Sequence, residues 1–153
     1  MNRYVVLAGI ALAALASSWV AAQTAKDLVG TWTLDSAGGF GPNPKGYVMF
    51  DANGHFGALL MRSDLPKHAS NRRTQGTAEE YKATVQGMIA YYGTYSVNGT
   101  DVILRIEGSS FPNWNGTDQK RTNLSITGNE MRWTQPTPSG GGPPAETLWK
   151  RAR

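Results

Sequence analysis

Two histidines, His55 and His68, are the side chains of this chain best suited to moving protons near neutral pH, and Asp51 and Asp64 lie near enough in sequence to orient them. His55 follows the turn signal Asn53-Gly54, and His68 sits in the stretch from Pro66 to Ser70, so both belong to loops. A nucleophilic triad needs a His held by a carboxylate and within reach of a Ser, and loop-bound histidines in water are the simpler reading. Tyr92, Tyr95 and Glu107 are the remaining acid–base candidates; they would suit an isomerase, cyclase or hydrolase of small molecules. The chain has no Cys, and no His or carboxylate spacing matches a metal site, so neither a metal nor a cofactor is expected.

Binding chemistry has more candidates than catalysis. The segment from Gly108 to Arg121 is long for a hairpin connection and carries Phe111 and Trp114 among polar residues. Read as a lid, it would stack Trp114 on a ligand and offer Arg105 or Arg121 to a carboxylate or phenolate. Read as a plug, it would fold Trp114 back into the protein with Arg121 against an indole. Tyr47, Tyr92, Tyr95, Arg105, Phe111, Trp114 and Trp133 are the candidate ligand-binding residues.

The elements that must position these groups are strands. Residues 28–34, 46–50, 55–61, 91–97, 101–107, 121–127, 130–135 and 145–151 are rich in β-prone residues. Asn53-Gly54, Asn98-Gly99 and Gly128-Asn129 supply the positive φ values of tight hairpin turns. Val102, Leu104 and Ile106 alternate with Ile103, Arg105 and Glu107, the period of a half-buried strand. One segment differs. Thr77-Ala78-Glu79-Glu80 has capping-box spacing, and Tyr81, Val85 and Met88 follow at helical intervals, which predicts a helix over 78–88 packed on the strands.

Eight antiparallel strands joined mostly by hairpins hide their two sheet edges best by closing into an up-and-down barrel; a sandwich is the alternative. Gly30 and Trp32 near one end, with Trp149 and Arg151 near the other, are the expected closure, with Arg121 or Arg151 lying across the Trp32 ring. Tyr47, Met49, Phe56, Leu60, Tyr92, Tyr95, Leu104 and Trp133 are candidates for lining the interior, although parity alone does not say which face of each strand points inward.

Residues 1–22 read as a secretory leader: Arg3, an apolar run from Tyr4 to Leu15, then small residues to Ala22, with cleavage expected before Gln23. The run meets Ser17-Ser18 too early for a membrane span, so an exported protein of the periplasm or extracellular space is expected, without a stable membrane anchor after cleavage. Residues 23–153 then form a single domain. The formal charge of +4 falls to +3 without Arg3, and the basic residues are scattered, so no nucleic-acid surface is expected.

Several segments in order carry a resemblance: Leu28-Val29-Gly30-Thr31-Trp32, Gly46 to Asp51 with Asn53-Gly54, Ala90 to Tyr95, Glu107-Gly108-Ser109 running through Phe111-Pro112-Asn113-Trp114-Asn115-Gly116 to Arg121, and Leu148-Trp149-Lys150-Arg151. Together they resemble the small lipocalin-like domain family and cover nearly all of residues 23–153. The resemblance implies a calycin-type β-barrel with a helix inserted before the fourth strand. Three functions follow from such a barrel: a binder of a small apolar or amphiphilic molecule, a small-molecule enzyme, or a filled barrel with a structural or interaction role. The binder is the leading expectation.

Overall fold

Asp51 shows how a strand end is set. Its carboxylate accepts hydrogen bonds from the backbone N–H groups of Asn53 and His55, both at 2.8 Å, while Gly54 takes a φ of 90°, so the chain reverses tightly. The same turn chemistry recurs at Gly99 and Gly128, with φ of 61° and 58°.

In the computed structural model, which describes residues 23–153, such reversals link eight strands: β1 (Gly30–Ala37), β2 (Lys45–Phe50), β3 (His55–Met61), β4 (Met88–Asn98), β5 (Asp101–Ser109), β6 (Asp118–Thr127), β7 (Glu130–Gln135) and β8 (Ala145–Arg151). Each is antiparallel to the next, and β8 returns to β1, which closes the sheet into a barrel. The leader expected over residues 1–22 lies outside the described residues. A short helix α1 (Ala25–Leu28) precedes β1, and α2 (Ala78–Gly87) joins β3 to β4.

The helix forms for the expected reason. The Thr77 side chain accepts from the Glu80 N–H, and the Glu80 carboxylate accepts from the Thr77 N–H at 2.8 Å. Its packing departs from expectation. Val85 is 76% exposed, and Tyr81 turns to the His68 ring, 5.4 Å away, instead of the strands. With only Gly87 buried, the helix lies loosely beside β4, and no helix among the described residues is long and apolar enough to cross a membrane.

Inside, the barrel is filled by its own side chains. Trp133 stands edge-on to Trp149 at 5.7 Å and to Phe50 at 6.2 Å, while Tyr95 meets Phe50 at 4.8 Å. Phe56, Leu60 and Leu104 also point inward, whereas Tyr47, Met49 and Tyr92 do not. In β2 the buried residues are Gly46, Val48 and Phe50, so strand alternation sends Tyr47 and Met49 to the outer wall.

One end of the barrel is closed by Trp32. Its Nε1 donates to the Leu28 carbonyl at 2.8 Å, and the Arg151 guanidinium lies 4.0 Å over the ring. Arg151 also donates to the carbonyls of Val29 and Asp27, tying α1 down to β8. Arg121, the alternative partner for Trp32, lies instead beside Trp114.

The Asp51 turn has a pH signature. The His55 backbone N–H, the Asn53 N–H and the nearby His55 ring hold the Asp51 carboxyl below the usual carboxylate range. Stability from this group is therefore present above the ordinary carboxylate pKa and lost as pH falls through the lowered folded value. NMR titration is expected to show the Asp51 carboxyl titrating below an exposed Asp, with the His55 amide shift following the same curve; an ordinary Asp51 titration would refute this.

Candidate ligand site

Of the acid–base candidates, His55 and Tyr95 meet at Asp51, whereas Asp64 lies apart with Arg62. His55 meets Asp51 at 3.2 Å on the exposed side of the turn, and Asp64 is held by Arg62 through two hydrogen bonds of 2.8 and 2.7 Å. Tyr95 donates to the Asp51 carbonyl at 2.8 Å, and burial, followed by the Asp51 charge, raises the pKa of its phenol, which keeps its proton. Among the described residues no group of three His, Cys, Asp or Glu is placed to hold a metal ion.

The outer wall carries a different kind of site. Two rows of outward positions cross the sheet, Tyr47–Leu59–Ala90 and Met49–Gly57–Tyr92–Gly108. Tyr47 and Met49 stand two apart on β2 and Tyr92 on β4, with Gly57 of β3 between Met49 and Tyr92. Tyr47, Met49 and Tyr92 are 51%, 52% and 57% exposed, an unusual concentration of open apolar surface. Between them runs a groove of about 600 Å³, floored around Gly57 and Ala90 and reaching Ser109 and Ser110. A Cβ on Gly57 would touch nothing within 4 Å, whereas one on Gly108 would strike the Tyr92 ring at 2.5 Å. Glycine thus leaves the floor open at one position and seats an aromatic wall at the other.

Arg105 is not part of this groove; it faces solvent and pairs with Asp118 at 3.3 Å. Trp133 is in the interior, between Phe50 and Trp149. Sequence reasoning missed Gly57, Leu59 and Ala90, whose small or aliphatic side chains matter only once the outward face of β2 is known. The exposed pair Tyr47 and Met49, two apart in β2, was the available signal.

The Phe111–Trp114 segment folds inward. A single 3-10 turn, Pro112–Trp114, buries the Trp114 ring edge-on to Tyr91 at 5.3 Å and to Phe111 at 6.0 Å. Beside it lies Arg121, only 1% exposed. Its guanidinium donates to the Lys120 carbonyl at 2.9 Å and to the Tyr91 hydroxyl at 3.4 Å, and stands 5.8 Å from the Trp114 ring. No carboxylate among the described residues forms an ion pair with it.

Comparison with known proteins adds two findings. Residues 29–152 match the family model described as the lipocalin-like domain. The chain is also similar to the 4'-hydroxy-3'-methoxypropiophenone carrier protein of Aspergillus oryzae, with 38% identity over 72 residues, covering 42% of this chain and 65% of that protein. The match therefore spans less than two thirds of the relative's length.

Proposed function

Because the chain belongs to the lipocalin-like domain family, we propose that it is an exported carrier of a small amphiphilic molecule with an aromatic body, taken up in the groove walled by Tyr47, Met49 and Tyr92. The groove is the observation that carries this reading. Its volume of about 600 Å³ falls in the range of small-molecule sites. Apolar walls with phenol and Ser hydroxyls at the margins suit a ligand that is largely apolar with a few polar groups. The relative named as the carrier of an aromatic ketone supports the same class. Export rests on the leader pattern of residues 1–22, and scattered positive charge argues against nucleic acid as the partner. A purely structural barrel is the second reading, favoured by the aromatic filling of the interior.

Gly57→Leu separates the two. A Cβ at this position meets nothing within 4 Å, so the variant is expected to fold, with the rest of the Leu side chain occupying the groove floor. Titration with Nile red, an uncharged dye that brightens in apolar sites, is expected to show affinity at least about tenfold weaker in the variant, or ~1.4 kcal/mol. Equal dye affinity in the folded variant and the parent protein would favour the structural barrel.

A further inference from the structure

Arg121 is a buried cation whose charge is unanswered. A guanidinium has five N–H donors, and the two hydrogen bonds made here end on neutral oxygens, one of them long. Burying such a group is costly unless an anion or enough acceptors compensate it. Tyr91 accepts from Arg121 and keeps its own proton to donate. Among the described residues, the buried side-chain polar atom with no partner is Trp149 Nε1, a donor. The buried residues include no carboxylate to answer the Arg121 charge.

Trp114 is what fills the space beside that cation. At 5.8 Å its ring is near the outer limit of a cation–π contact, a weak substitute for an anion. The other large interior rings, Trp32, Phe50, Phe56, Tyr91, Trp133 and Trp149, sit on strands of the closed ladder. Trp114 sits on the three-residue turn between β5 and β6, flanked by exposed Asn113, Asn115 and Gly116, with the backbone anchored just beyond it where Gly116 and Thr117 bond to Ile106; a side-chain rotation of Trp114 therefore leaves the strand ladder in place. Tyr91 and Phe111 both meet it edge-on, contacts that another flat ring would reproduce.

We infer that the space held by the Trp114 indole is a subsite for a flat aromatic acid of one or two rings, whose anionic group pairs with Arg121 and accepts from Tyr91 after Trp114 swings out. The carboxylate would take a two-pronged hydrogen bond from the guanidinium, and the aromatic body would replace the indole between Tyr91 and Phe111. This subsite lies inside the barrel, apart from the outer groove, and does not depend on it.

The test compares indole-3-acetate with indole-3-acetamide, nearly equal in shape and different in charge. Thermal unfolding is followed near neutral pH at roughly millimolar ligand, with sodium chloride and sodium sulfate as inorganic controls. The acetate is expected to raise the Tm by about 2 °C or more and the acetamide by much less. Arg121→Met, which keeps the bulk and removes the charge, is expected to abolish the difference. Trp114→Ala, which removes the resident ring, is expected to bind the acetate about tenfold more tightly, because the cost of displacing it is gone. Should Arg121→Met not fold, the acetate–acetamide contrast and the Trp114→Ala affinity still decide. Nile red titration in the presence of saturating acetate is expected to match that in its absence, so that failure of the groove and failure of this subsite are told apart. The inference is overturned by equal shifts from acetate and acetamide, by no shift from either, by a shift that survives in Arg121→Met, by weaker binding to Trp114→Ala, by competition with Nile red, or by an equal shift from chloride or sulfate, which would mean an adventitious ion only.

Discussion

Trp32→Ala is expected to leave the protein largely unfolded or close to it. Truncating a fully buried Trp costs about 3–5 kcal/mol. The Leu28 carbonyl loses the indole donor at 2.8 Å and is left unsatisfied in a buried position, a further cost of about 1–3 kcal/mol. Against a total stability of about 5–15 kcal/mol, little remains. Urea unfolding followed by far-UV circular dichroism is the measurement, and a loss of stability smaller than about 2 kcal/mol would contradict this expectation. Trp32→Phe retains most of the ring and loses only the donor, so it should fall well short of the Ala variant. A double-mutant cycle of Trp32→Leu with Arg151→Met, which removes the ring and the guanidinium in turn, then measures the ring–guanidinium contact, expected at about 0.5–2 kcal/mol.

The second large effect comes from adding one methyl group. Gly93 lies at the β-bulge where β4 shifts register against β5, and a Cβ there would come within 1.9 Å of the Arg105 carbonyl oxygen. The obstacle is backbone, which cannot turn aside as a side chain does, and the carbonyl belongs to the strand that carries Leu104 and Ile106 into the core. Gly93→Ala is therefore expected to exceed the roughly 1–3 kcal/mol of ordinary overpacking and to open the β4–β5 ladder. Hydrogen exchange should report it as lost protection at Thr94 and Arg105, which pair across β4 and β5. Gly57→Ala is the internal control: it is also a strand glycine, yet its methyl meets nothing within 4 Å, and it should be nearly neutral. If the two variants are equally stable, the clash is not limiting.

These contrasts mark what the sequence made legible. Hairpin signals at Asn53-Gly54, Asn98-Gly99 and Gly128-Asn129 located turns because positive φ is a local demand that few residues meet. The capping box at Thr77 located the helix start for the same local reason. Facing was harder. Tyr47, Met49 and Tyr92 are as apolar as Phe56 or Leu60, and only pairing across the closed sheet settles which set turns inward. The bulge opposite Tyr92 and Gly93 adds Glu107 to β5 and resets parity there, so that Gly108 joins the outward row, which no alternation rule anticipates. For Arg121, spacing marks a barrel strand without marking how far a long side chain reaches; the guanidinium ends beside Trp114 and not Trp32. The Gly57 floor had no sequence signal, since open space has no residue type.

Closure of the ladder also governs the order of events during synthesis. Trp32 pairs with Arg151, so β1 waits for β8 before it has its second neighbour, while each hairpin from β2 to β7 can form as soon as it is made. Until then both terminal strands offer unpaired backbone. A chain lacking β8 would thus present two sticky edges, on β1 and β7, and its aggregation risk lasts until β8 docks between them.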